Sequence, residues 1–208
     1  MLEEILQGLR WLGHDGFAVT GSGQTVVFDP YQVAVPLSAD VVLVTHPHYD
    51  HCSPEDIAKV SHEKTVIVTE AESAAKLKGD VRLLAPGGRM TIGSVSIEAV
   101  AAYNTDKKFH PRAKNWLGFV VTLDGTRIYH AGDTDLIPEM DAIECDVALL
   151  PVSGTYVMTA AEAVEAARRI KPKVAIPMHY NTLVGSRADA ERFKKGLAGI
   201  CDVRILTP

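Results

Sequence analysis

The 208-residue chain predicts an α/β fold of two sheets with helices outside them. Two observations lead there. Short β-rich runs alternate with a few helical ones, and the chain falls into two halves that loosely echo each other. Each half opens on a hairpin, passes through a strand that ends in polar residues, and closes on helix–strand alternation. Hydrophobic residues make up 47% of the chain, enough for a full core, which excludes disorder. No Ser/Gly or Pro tract marks a linker, so residues 1–208 read as one domain built of two similar halves.

Residues 16–29 read as two strands joined by Gly-Ser-Gly, a hairpin signal. The β-branched run Asp40–Thr45 predicts a buried strand. A helix starts after it, with Ser53 as N-cap and Pro54 at the first helical position. Lys64–Thr69 is a strand, and Glu70–Lys78 a short helix ended by Gly79. Two strands around Arg89–Val100 precede a polar stretch from Ala102 to Asn115 that has no clear period. Trp116–Leu123 and Thr126–Ala131 flank Asp124-Gly125, the strongest short hairpin signal in the chain. The tail alternates strand Asp146–Pro151, helix Thr159–Ile170, strand Lys173–Pro177, helix Arg187–Leu197 and strand Asp202–Leu206.

The formal charge of −5 lowers the expectation of a nucleic-acid partner, which usually shows as a basic excess. No stretch approaches the roughly 18 apolar residues of a membrane span. Glu3 and Glu4 stand where a signal peptide carries Lys or Arg. Three scattered cysteines, Cys52, Cys145 and Cys201, form neither a disulfide framework nor a thiolate zinc site. The expectation is a soluble, cytoplasmic protein that acts on a small molecule, without nucleic acid or membrane.

The informative segment is Thr45-His46-Pro47-His48-Tyr49-Asp50-His51, directly after the buried strand. His46 and His48 are two apart, so near a strand end they point the same way. Asp50 and His51 sit in the following turn, free to face the same centre. Imidazole and carboxylate form a ligand set that zinc, manganese and iron(II) accept. Asp133, behind Gly132, and His179 each follow a strand, where α/β folds collect ligands. Taken singly, Asp133 reads equally as a cap and His179 as a hydrogen-bonded core histidine.

Together these residues resemble the metallo-β-lactamase superfamily, whose HxHxDH motif is His46, His48, Asp50 and His51 here, followed by Asp133 and His179. Leu12-Gly13-His14 and Phe28-Asp29-Pro30 are similar to the branch of L-ascorbate-6-phosphate lactonase-like proteins and small hydrolases. The resemblance implies a four-layer αββα sandwich with two divalent ions, zinc or manganese, along one edge. Metal one would be held by His46, His48 and a third histidine, and metal two by Asp50, His51 and His179, with Asp133 as the bridge. The strand that usually precedes the third histidine ends Val100-Ala101-Ala102-Tyr103-Asn104 without one. His110, six residues into the polar loop, is the candidate; Asn104 or water is the alternative.

The implied activity is hydrolysis of an ester, lactone or phosphoester-type substrate by a hydroxide held between two ions, with Asp50 orienting it. His14, Asn104 and Lys107 are candidate substrate contacts. The cluster Lys107, Lys108, Arg112 and Lys114 reads as a solvated loop or, beside a metal site, as an attractor of anionic substrate. His62 reads as solvated surface and Cys52 as a small buried residue, whereas His130 is undetermined in direction. Three rivals use the same fold: a metal-dependent nuclease or phosphodiesterase, a diiron oxidoreductase, and a metal-stabilised module without turnover. The resemblance leads one to expect an added arm in a nuclease and a flavin domain beside a diiron centre, for which 208 residues leave little room, and His48 stands where the diiron relatives carry Glu.

Overall fold

A computed structural model describes the whole chain, Met1 to Pro208. Helix α1 (Leu2–Gly8) leads into the meander β1 (Leu9–Gly13), β2 (Gly16–Gly21) and β3 (Gln24–Phe28). Then follow β4 (Ala39–Leu43), α2 (Pro54–Val60), β5 (Ser61–Thr69), α3 (Ala71–Ala74) and β6 (Asp80–Leu83). These six strands form one sheet in sequence order, antiparallel through β3 and parallel from β3 to β6.

The second sheet holds β7 (Arg89–Ile92), β8 (Val95–Ala101), β9 (Leu117–Leu123), β10 (Thr126–His130), β11 (Val147–Pro151), β12 (Val174–Met178) and β13 (Asp202–Val203). It too is antiparallel first, as far as β10, and parallel afterwards. Helices α4 (Ala160–Ile170) and α5 (Arg187–Gly196) make the crossovers beyond β11 and β12.

The layers follow from which faces are apolar. Phe28, Leu43 and Val68 of the first sheet and Ile97, Phe119 and Val121 of the second belong to one core of 47 buried residues. The other face of the first sheet, with Ala18, Val27, Val42 and Ile67, is covered by Ile57 and Val60 of α2. On the far side, α4 buries Ala163, Ala166, Ala167 and Ile170, and α5 buries Ala190 and Phe193. The result is the αββα sandwich. No helix is long and apolar enough to cross a membrane.

Several elements depart from the sequence expectation. The segment Leu2–Gly13 holds a helix and a strand that no pattern announced; Ile5 and Leu6 are the helix's buried residues. The expected helix Glu70–Lys78 is a single turn, Ala71–Ala74, capped by the Glu70 carboxylate on the amides of Glu72 and Ser73. With Ser73 its only buried residue, it has no apolar stripe to extend. Asp80–Leu83 then pairs with β5 as an edge strand with no fully buried residue, hence no alternation to read. The last strand is cut from Asp202–Leu206 to Asp202–Val203.

The topology brings several turns to one end of the sandwich. The C-terminal ends of β3, β4, β10, β11 and β12 carry Asp29, the His46–His51 turn, Asp133, Ser153 and His179. The β1–β2 turn adds His14 and Asp15, and the β8–β9 loop adds Asn104 and His110.

Candidate metal centre

The turn after β4 is fixed from beneath by Asp29. Its buried carboxylate accepts from the Thr45 amide at 2.8 Å, the Thr45 hydroxyl at 2.6 Å and His51 Nδ1 at 2.8 Å. The Thr45 hydroxyl spends its proton on Asp29, so the 2.9 Å contact to His46 Nδ1 is donated by the ring. In both rings Nε2 is therefore the nitrogen left to face the centre.

The other two inward histidines follow the same plan. Ser153 Oγ donates to the Thr155 carbonyl and accepts from His179 Nδ1 at 2.9 Å. Asn104 Oδ1 accepts from His110 Nδ1 at 3.1 Å and from the His110 amide at 2.9 Å. His48 is turned the other way, with Nδ1 lying 2.9 Å from His46 Nε2.

Asp133 lies among these nitrogens. Oδ2 is 3.1 Å from His110 Nε2, 3.3 Å from His179 Nε2 and 4.0 Å from His46 Nε2, while Oδ1 is 3.4 Å from His51 Nε2. Gly132 puts it there: at φ +63° an added Cβ would lie 2.7 Å from the Leu117 carbonyl oxygen. His130 anchors the same turn. Its Nδ1 accepts from the Gly132 amide and its Nε2 donates to the Asp15 carbonyl at 2.8 Å, which makes it a structural residue.

Ligand-capable atoms within 4.8 Å of one another form three sets. One is His46, His48 and His110; the others are His14, Asp50, His51, His179 and Asp15, His51, Asp133, His179. The structure thus brings together all seven sequence-predicted ligands. His14 is beside them, its Nε2 3.0 Å from Asp50 Oδ2. The backbone of His14, at φ +51°, accepts from the His179 amide and from Trp11 Nε1.

Burial and charge set the proton affinities. Burial opposes a charge on His179, but the Asp133 and Asp15 carboxylates outweigh it and raise its pKa to about 9. His51 is likewise opposed by burial and lifted well above the usual imidazole value by Asp133 and Asp29. Burial opposes the Asp133 carboxylate too, yet His179 and His51 hold it well below the ordinary range. At His46 burial prevails, and the neighbouring His51 adds to it, so the ring stays neutral. Burial pushes Asp15 up strongly.

Whether these residues suit a metal can be judged from their unmet bonding. His51 Nε2, His110 Nε2, Asp133 Oδ1 and both Asp15 oxygens are buried without a hydrogen-bond partner. Orphans of that kind are rare in a folded protein and costly. They converge on one place, and their donor types, imidazole and carboxylate, match divalent transition-metal ions. The residues fit.

Two expected substrate contacts serve elsewhere. Asn104 is buried; besides holding His110, its Nδ2 donates to Asp135 Oδ1 at 3.1 Å and to the Tyr156 carbonyl at 2.8 Å. Lys107 is tied to Asp106 and Asp135 at 2.8 and 2.7 Å. Arg112 pairs with Glu139 and Lys114 with Glu72, so the expected cation cluster is largely paired off from the cleft. His62 lies at the surface and Cys52 in the outer core, as expected. Sequence reasoning singled out Asp29 only as part of Phe28-Asp29-Pro30 and missed its supporting role, and it missed Asp15 and Asp135 altogether. Asp29 stood in view at a strand end before Pro30, whereas nothing local marked Asp15.

A model of the β-lactamase superfamily domain matches residues 8–179 of the chain. A UPF0173 metal-dependent hydrolase of Thermoplasma acidophilum is 38% identical over 214 residues, covering 95% of this chain and 93% of its own. A crystal structure from Parabacteroides distasonis superposes with a TM-score of 0.86 at 36% identity, over 96% of this chain and 93% of the other. Igni18, a metallo hydrolase from Ignicoccus hospitalis, gives 0.79 at 28% identity over 96% and 94%.

Proposed function

This chain belongs to the β-lactamase superfamily and is one of its metal-dependent hydrolases, and from that premise we propose that it works with two divalent ions, zinc or manganese, on a carbonyl- or phosphoryl-centred ester-type bond. The observation that carries the two-ion reading is Asp133, whose two oxygens lie between the His46/His110 side and the His51/His179 side. His46, His48 and His110 would hold one ion, and Asp50, His51 and His179 the other. A shared carboxylate offsets the repulsion between two neighbouring cations.

When bound, the ions lower the pKa of water toward neutrality and polarise the bond under attack. The protein's own residues supply the rest. Thr45, Asp29, Asn104 and Ser153 lock ring orientation and tautomer, so the ligand nitrogens are set before any ion arrives. Asp50 faces the cleft with Oδ2 held by His14 Nε2, in position to accept a proton from the attacking water and return it to the leaving group.

The test is elemental analysis joined to turnover. The protein purified with zinc and manganese supplied should hold about two ions per chain and hydrolyse simple activated esters. Chelation should abolish that activity, and either ion should restore it. A chain that takes up no transition metal, or whose turnover survives complete chelation, overturns the reading.

A further inference from the structure

We propose that the mouth of this site selects a substrate whose group beyond the reacting bond is an uncharged aryl or branched alkyl, not a phosphate or carboxylate; the inference rests on the hydrolase reading for its reacting centre. A cleft of about 410 Å³ opens over His48, His110 and His179. Tyr49, Phe109, Tyr156 and Leu183, all lining it, are 66%, 51%, 38% and 43% exposed. They are half of the eight large apolar side chains exposed anywhere on the molecule. Single exposed apolar residues need no explanation, but four gathered round a polar floor do.

The wall is built, not incidental. Phe109, from the β8–β9 loop, meets Tyr156, from the β11–α4 loop, edge to face with centroids 4.5 Å apart. Tyr156 is held through its carbonyl by Asn104, the residue that also orients His110. On the opposite side Tyr49 packs edge-on against Tyr31 at 5.9 Å. Aromatic and aliphatic walls with a few convergent polar groups are the usual lining of small-molecule sites, and this volume is near the lower end of the roughly 300–1,000 Å³ range.

Charge points the same way. No lysine or arginine lines the cleft, whereas Asp50 and Asp133 do. Of the loop's four cations, Lys107, Arg112 and Lys114 are each committed to a carboxylate, and Lys108 is exposed outside the cleft lining. Phosphate recognition normally draws on such cations, Arg above all; here an anionic group distant from the metals would meet apolar rings.

The experiment uses the metal-loaded protein and two readouts. The first is kcat/KM for 4-nitrophenyl benzoate, 4-nitrophenyl acetate and the 4-nitrophenyl monoester of succinic acid, which carries a remote carboxylate, at low and high salt. The second is calorimetric binding of benzohydroxamate against acetohydroxamate. Benzoate should exceed acetate, and benzohydroxamate should bind tighter, by about tenfold, with little effect of salt. Phe109→Ala and Leu183→Ala should shrink both ratios toward one, while Leu83→Ala, at an exposed residue of the distant edge strand, should leave them alone. Preference for the carboxylate-bearing ester, a steep salt dependence, or equal binding of the two hydroxamates overturns the inference and leaves the hydrolase reading intact. If no ester is turned over but benzohydroxamate still binds preferentially, the apolar mouth stands and the hydrolase reading fails.

Discussion

Asn104 and His110 grip each other three times. The Asn104 amide donates to the His110 carbonyl at 2.7 Å, and Asn104 Oδ1 accepts both the His110 amide and its ring Nδ1. Six residues apart, they close a loop whose purpose is to present one imidazole nitrogen. Asp135 braces that loop, accepting from Asn104 Nδ2, the Thr105 amide and Lys107.

Asn104→Ala removes the acceptor that fixes the His110 tautomer. Losses of this kind cost about 10–100-fold in metal affinity. Competition against a chromophoric chelator should show one ion weakened by that factor and the other little changed. Equal affinities in wild type and variant would refute the link.

Asp133→Asn keeps the shape and loses the charge. Both ions should weaken, because the carboxylate touches both sides of the centre. The same change removes the main influence raising His179, whose pKa should fall from about 9 toward the ordinary imidazole value. Metal analysis and a histidine NMR titration of the ion-free variant check the two halves separately; full two-ion content with normal turnover would defeat the bridging role.

Metal uptake should release protons. In the ion-free chain His179 carries an extra proton below pH about 9, and a ligand imidazole must be neutral. Apparent affinity should therefore rise with pH, by up to about tenfold per pH unit for each coupled proton, with the share due to His179 levelling off as pH passes about 9 and His51, also raised, adding its own. Calorimetry in buffers of different ionisation enthalpy measures the released protons directly. No release at neutral pH would contradict the assignment.

Asp15→Asn tests the buried carboxyl that has no hydrogen-bond partner. The fold should survive, since His130 bonds the backbone carbonyl of Asp15 and not its side chain. One ion should bind several-fold more weakly once a nearby negative charge is gone. Unchanged affinity would mean that the carboxyl is uncharged in the loaded protein.

Much of this centre was legible because ligands recur at strand ends, and strand ends are marked by apolar runs giving way to polar residues. His46, His48, Asp50, His51, Asp133 and His179 were found that way. His110 was reached by a deficit, and its loop had no period to follow because Asp135 and Asn104, not backbone ladders, organise it. Asp15 and Ser153 were invisible because their importance lies in what the fold brings beside them: Ser153 reaches His179 across 26 positions. Among the strands, β6 escaped for lack of a buried face, and β1 because its five residues follow directly on helix α1 and hold only two buried positions, Leu9 and Trp11.

The centre also straddles the seam of the sandwich. His46, His48, Asp50 and His51 hang from the first sheet, while His110, Asp133 and His179 hang from the second. Across that seam the Leu117 amide donates to the Thr45 carbonyl at 3.0 Å, and Phe28 stacks on His130 at 5.0 Å. Ions placed there would act as rivets between two plates already joined by apolar packing and by a few polar bonds such as these. Their loss should loosen this rim first, so hydrogen exchange after chelation should rise at residues 46–51 and 103–115 before it reaches β4 or β11, and the melting temperature should fall with it.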